Sequence, residues 1–240
     1  MIPLRDDNPA HGTPVVTISF IVTCTLVFLY QASLPPQAGE VFVYRFGAIP
    51  AAVMGHAALP PEIQGASPLV TLLTSMFLHG GWMHLIGNML YLWIFGDNVE
   101  DVMGHARFAA FYVICGVIAV YSHAVIDPAS TVPMVGASGA ISGVLGAYLM
   151  LFPRAQVLVL IPLGFFSRLM YVPAGVALGI WFLLQILSGG MSLGREGGGI
   201  AFFAHIGGFL AGMALIVVFK RQDVKLFAPA RHRAWEEREW

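Results

Sequence analysis

The chain has 240 residues, 58% of them hydrophobic and 10% charged, with a formal net charge of −1 and a mean hydropathy of +0.78. Soluble domains carry about 25% charged residues, so these figures exclude a soluble globular domain, and with it disorder, collagen and coiled coil. Two cysteines, Cys24 and Cys115, cannot build a disulfide framework, and each lies in an apolar run that suits a small buried side chain. The near-zero charge gives a nucleic-acid partner no electrostatic support. An integral membrane protein is the class that remains.

In chain order, residues 1–13 form an N-terminal tail, and Val15–Leu34 is the first stretch able to cross a hydrocarbon core. It is longer than a signal-peptide core of ~7–15 residues and is expected to be retained as a helix. Pro35–Leu78 has six prolines and a predicted loop character, with Phe46–Ala58 apolar enough to dip into the membrane surface. Trp82–Phe95, Phe108–Ile126 and the short, Gly- and Ala-rich Ala137–Phe152 follow as helices. Val157–Phe166 is too short to cross and is broken by Pro162 and Gly164, so it is predicted to be interfacial. Val172–Leu187 and Ile200–Phe219 bring the predicted count to six.

Six spans place both termini on one side. With those termini in the cytoplasm, ten of the twelve Lys and Arg residues are inside, and only Arg45 and Arg195 are outside. The positive-inside rule selects this orientation. Residues 220–240 are then a charged cytoplasmic tail whose basic start anchors the last span at the headgroups. The expected organisation is a membrane domain over 14–219, with its long first outer loop at 35–78, between two cytoplasmic tails. A bacterial inner membrane suits the charge asymmetry.

Strongly polar groups inside spans mark function by default. Here they are His79, His84 and Asn88 near the second helix, Ser138 and Ser142 in the fourth, and His205 in the sixth. Small residues around them also permit close helix packing: Gly139, Gly143 and Gly146 in the fourth helix, Gly208 and Gly212 in the sixth. Packing does not account for His205. At ~1.5 Å per residue, Ser138, His205 and Asn88 all fall roughly 8–9 Å below the outer face, with His84 one turn above Asn88.

That layer holds the parts of an acyl-transfer site. A serine hydroxyl is a weak nucleophile until a base takes its proton, and His205 can be that base. Ser138 follows Gly136-Ala137 at the start of a short helix, where the first N–H groups lack helical partners and suit an oxyanion. Asn88 and His84 can add side-chain donors. Ser142 is a competing nucleophile one turn deeper. No acidic third member occurs at this depth, and although spacing alone leaves Asp127 of an outer loop open, a Ser–His dyad is expected; Asp97, Glu100 and Asp101 lie at the cytoplasmic helix end, where they would cap it or pair with Arg107.

Gly136-Ala137-Ser138-Gly139 resembles the Gly-x-Ser-Gly nucleophile motif of the rhomboid family of intramembrane serine proteases. His84-Leu85-Ile86-Gly87-Asn88 is similar to that family's His-x-x-x-Asn motif, and Ala204-His205 through Gly208 and Gly212 to its Ala-His-x-x-Gly-x-x-x-Gly helix. The resemblance implies an all-α, six-span bundle. It also implies Ser138 as nucleophile, His205 as general base, and Asn88, His84 and the Ser138 N–H as oxyanion donors. Gly136, Gly139, Gly208, Gly212 and Glu100 would be structural. It further implies single-span membrane proteins as substrates, no metal or cofactor, a cap at Ser188–Gly199, and a fifth helix beside substrate entry.

Two positions depart from the family pattern. Val70-Thr71 stands where some members carry Trp-Arg, and Ser142 where some carry an aromatic that stacks on the histidine. A zinc protease would need a His-Glu-x-x-His helix, which the spacing of His79 and His84 does not supply. An aspartyl protease would need two aspartates facing each other within spans. A small transporter or proton-relay protein and a catalytically inert rhomboid-like binding protein are the readings outside enzymology.

Overall fold

The computed structural model describes residues 1–57, 60, 61, 63, 65–163, 166–192 and 201–227. In order along the sequence they form strand β1 (Ile2–Asp6), helices α1 (Val15–Ser33), α2 (Pro36–Phe46), α3 (Pro50–Val53) and α4 (Pro68–Thr74), and a 3-10 turn at Ser75–Phe77. Helices α5 (Trp82–Met103), α6 (His105–Ile126) and α7 (Ser138–Leu151) follow, then strands β2 (Gln156–Leu163) and β3 (Phe166–Pro173), then α8 (Ala174–Ser192) and α9 (Phe202–Phe219).

The protein is a polytopic helical membrane protein. Helices α1, α6, α8 and α9 are each long and apolar enough to cross a membrane. Segment Pro68–Phe77 and α5 together make a broken fifth candidate, bent by 84°, and α7 is a shorter apolar helix of 14 residues. Helices α1, α5, α6, α7, α8 and α9 each fall on a stretch that the apolar runs predict.

The long segment before α5 departs from expectation. It is not a plain loop but carries α2, α3 and α4, each with a proline in its first turn. Proline has no N–H to lose there and a φ already suited to a helix start, so it initiates helices as readily as it breaks them. Thr74 Oγ1 donates to the Phe46 carbonyl at 2.6 Å, and Ala48 bridges Met134. The first contact closes the segment on itself and the second ties it to the stretch before α7, without a Trp-Arg pair at Val70-Thr71.

The helical fold also carries a small sheet that an all-α expectation leaves out. Strands β1, β2 and β3 form one antiparallel sheet in that order, with Ile2 opposite Leu160 and Val157 opposite Val172. Buried Val157 and Val159 alternate with half-buried Leu158 and Leu160, the period of a strand with one face on the core. The segment expected at the interface therefore satisfies its backbone by pairing. The N-terminal tail is likewise fastened, with Tyr148 Oη donating to Asp6 Oδ2 at 2.6 Å and Asn98 Nδ2 to the Asn8 carbonyl at 3.1 Å. Residues 193–199 of the expected cap and 228–240 of the expected C-terminal tail lie outside the described residues; residues 188–192 complete α8.

The core lies between α5, α6, α7 and α9, around Phe95, Phe108, Phe111, Tyr112, Tyr148 and Phe209. Cys24 and Cys115 are fully buried free thiols within it. Helices α7 and α9 meet backbone to backbone. A Cβ at Gly208 would overlap the Gly139 carbonyl, one at Gly212 the Gly143 carbonyl, and one at Gly146 the Phe209 carbonyl. This close contact brings the first turn of α9 against the first turn of α7.

Candidate active site

The α7–α9 contact sets the geometry of Ser138 and His205. Ser138 opens α7 and His205 lies in the first turn of α9; Ser138 Oγ and His205 Nε2 are 2.8 Å apart. That is hydrogen-bond distance for a proton transfer between hydroxyl and imidazole. Both residues are half-buried.

The approach to Ser138 is built by Gly136. Its φ of +121° is a conformation that favours glycine, and its N–H donates to the Ser75 carbonyl at 2.8 Å. A Cβ there would stand 2.7 Å from His84 Cε1, 2.8 Å from His84 Nε2 and 3.5 Å from Asn88 Nδ2. Both α5 side chains thus face the backbone that leads into Ser138. Nδ1 of His84 accepts the Gly80 N–H at 3.4 Å, and a backbone N–H can only donate, so the ring proton of neutral His84 is on Nε2, turned toward Gly136. Asn88 Nδ2 is buried and has no hydrogen-bond partner among the described residues. Two donors and the first N–H groups of α7 therefore border one spot.

Ser142 and Glu100 are bonded elsewhere. Ser142 Oγ donates to the Ser138 carbonyl at 2.6 Å, the usual back-bond of a serine inside a helix. His79 is fully buried, its ring centroid 5.3 Å from that of His84. Glu100 is 1% exposed and caps α1: it accepts the Val16 and Thr17 N–H groups, each at 2.8 Å, and the Thr17 hydroxyl at 2.7 Å. Its remaining contact is His105 Nδ1 at 2.6 Å, not the Arg107 that sequence spacing suggests. Among the described residues, no group of three or more His, Cys, Asp or Glu could hold a metal ion.

Sequence reasoning missed two residues of this site. Gln185 Oε1 lies 2.8 Å from His205 Nδ1, and the Trp181 ring lies 5.9 Å from the His205 ring, tilted by 35°. Both come from α8, one turn apart on the same face. A glutamine in the run Trp181-Phe182-Leu183-Leu184-Gln185-Ile186-Leu187 is the signal that could have found them, since an uncharged amide in an apolar span also asks for a partner.

A family model described as a rhomboid domain matches residues 66–222, more than half of the sequence. "Rhomboid protein 1, mitochondrial" of Saccharomyces cerevisiae is 30% identical over 148 residues, 60% of this protein and 40% of that one. "Presenilin-associated rhomboid-like protein, mitochondrial" of Bos taurus is 30% identical over 186 residues, 73% of this protein and 45% of that one. A Bacillus subtilis protein named as a candidate rhomboid protease, YdcA, is 40% identical over 78 residues, 32% of this protein and 39% of its own length. The matched region thus spans less than half the length of each of these relatives. The match over residues 66–222 contains Ser138, His205, His84 and Asn88, and the chain belongs to the rhomboid family.

Proposed function

We propose that the protein is an intramembrane serine endopeptidase that cuts single-span membrane proteins near the outer face of the bilayer by a Ser138–His205 dyad. The observation that carries this reading is the 2.8 Å approach of Ser138 Oγ to His205 Nε2, with the unpaired Asn88 Nδ2 beside the backbone that leads into Ser138. Family membership supports it.

Ser138 Oγ attacks the scissile carbonyl while His205 Nε2 accepts its proton. The carbonyl oxygen, now anionic, is held by Asn88 Nδ2, His84 Nε2 and the Ser138 N–H. His205 then gives the proton to the leaving amine, and the substrate segment on the C-terminal side of the cut departs. Water attacks the acyl-enzyme with His205 again as base, releasing the new carboxylate and restoring the Ser138 hydroxyl. Substrate must be unwound at the cut, because peptide groups in an intact helix are shielded. No step uses a metal or a cofactor.

In this reading α1, α5, α6, α7, α8 and α9 are the six spans of a membrane domain over 14–219, with both termini cytoplasmic and Ser138 near the outer face. The basic residues support that orientation. The expectation of a bacterial inner membrane rests on charge asymmetry alone. Two of the three relatives above have "mitochondrial" in their names, so their names do not favour it.

The test is cleavage of a purified single-span substrate in detergent by wild type and Ser138→Ala. Cleavage by wild type only, resistant to chelators, is the expected result. Equal cleavage by the variant, or loss on Ser142→Ala alone, would move the nucleophile elsewhere.

A further inference from the structure

We propose that Gln185 is the positioning residue of the dyad, its side-chain oxygen accepting the Nδ1–H of His205 and so fixing the tautomer whose Nε2 faces Ser138. The inference rests on the dyad reading above and adds a third member to it, supplied by a different helix.

A neutral imidazole carries its proton on either nitrogen, and only the tautomer with a bare Nε2 can take the Ser138 proton. An acceptor at Nδ1 selects that tautomer. Gln185 Oε1 sits 2.8 Å from Nδ1 while Ser138 Oγ sits 2.8 Å from Nε2, so both ring nitrogens are engaged at once. Ser142, where an aromatic could have stacked, is bonded to the Ser138 carbonyl and gives Nδ1 no acceptor. Trp181 flanks the ring at 5.9 Å and a 35° tilt, which limits its motion but gives Nδ1 no acceptor. A neutral amide has a further advantage over a carboxylate here: it brings no charge into an apolar layer.

The consequence is mechanical. Gln185 belongs to α8 and His205 to α9, so the reactive tautomer is held only while α8 lies against α9, through contacts such as the Phe182–Phe209 stack at 4.4 Å. Moving α8 away from α9 would free the ring as well as open the side of the site.

Two readouts test this. In steady-state cleavage, Gln185→Leu should lower kcat about tenfold to a hundredfold with KM within about twofold, short of the ~10⁴ loss seen where a serine enzyme's histidine is forced into the wrong tautomer. Gln185→Glu should recover most of that loss, because a carboxylate oxygen accepts the same bond. Independently of activity, ¹⁵N NMR at ~pH 8, above the ordinary histidine range, should show the His205 ring protonated at Nδ1 in the wild type, assigned by difference from His205→Ala, and a mixture of tautomers in Gln185→Leu. A wild-type ring protonated at Nε2 would overturn the proposal, as would unchanged kcat and tautomer in Gln185→Leu. A rise in KM alone would make Gln185 a substrate contact instead. If Gln185→Leu does not fold, the wild-type spectrum and the Gln185→Glu kinetics decide. An Nδ1–H ring in a protein that cleaves nothing would sink the protease reading and leave the Gln185–His205 bond standing.

Discussion

In the proposed mechanism Asn88 and His84 donate to a charge that exists only in the transition state. Asn88 Nδ2 is buried without a partner among the described residues, a cost that is offset only if something arrives to accept its proton. If it donates to the oxyanion, Asn88→Ala should lower kcat with little change in KM. One such donor is worth ~10²–10³ in rate in other serine enzymes; with His84 and the Ser138 N–H still present, a loss of about tenfold to a hundredfold is expected here. His84→Ala should show the same signature, and the double variant should be slower than either. Steady-state kinetics in one detergent checks this, with thermal stability measured on the same preparations. A raised KM at unchanged kcat would place Asn88 in substrate binding. The parts of this site with a spacing signature, Ser138, His205, His84 and Asn88, were legible in the sequence. Gln185 was not, because a lone uncharged amide in an apolar helix gives no spacing to interpret, and its partner is 20 positions away.

Among the helices, two contacts decide how the site is held. Glu100 holds the start of α1 by accepting two backbone N–H groups and one hydroxyl. Glu100→Ala would strand these donors, each at a cost of ~1–3 kcal/mol when buried. Thermal unfolding should show a destabilisation of at least ~2 kcal/mol, with Glu100→Gln in between because its amide oxygen still accepts; an unchanged Tm would contradict the capping role. The second contact is the α7–α9 seam. Gly212→Val would push methyl groups into the Gly143 carbonyl, so it should destabilise the fold and lower cleavage together. Gly179→Ala is the control: nothing lies within 4 Å of its Cβ position, and stability should hold or rise slightly. Helix existence could be inferred from apolar runs alone, and the start of α1, α5 and α7 to within a residue. The helices of the first loop could not, since proline at a first turn and proline in a loop look the same until the backbone pairs are known.

Seen whole, the molecule joins its N-terminal segment and its strands to α7 and α8. Strand β1 pairs with β2, β3 runs directly into α8, and Asp6 is bonded to Tyr148 of α7. Deleting residues 1–8 should therefore lower Tm, although these residues lie at the opposite end of α7 from Ser138; a truncated protein as stable as the untruncated one would show the sheet to be dispensable. This sheet was the largest feature hidden from sequence reading. Its strands are 8 residues or shorter, and the pairing of β1 with β2 spans more than 150 positions, a distance over which apolar periodicity gives no guidance.

The central claim is that Ser138 is an activated nucleophile, and covalent labelling tests it without any knowledge of the natural substrate. Purified protein is treated with a fluorophosphonate and the modified residue is located by mass spectrometry of its peptides. The predicted result is a single adduct on Ser138, lost in His205→Ala. An adduct on Ser142 or elsewhere, or an unlabelled Ser138 in folded wild-type protein, would contradict that role.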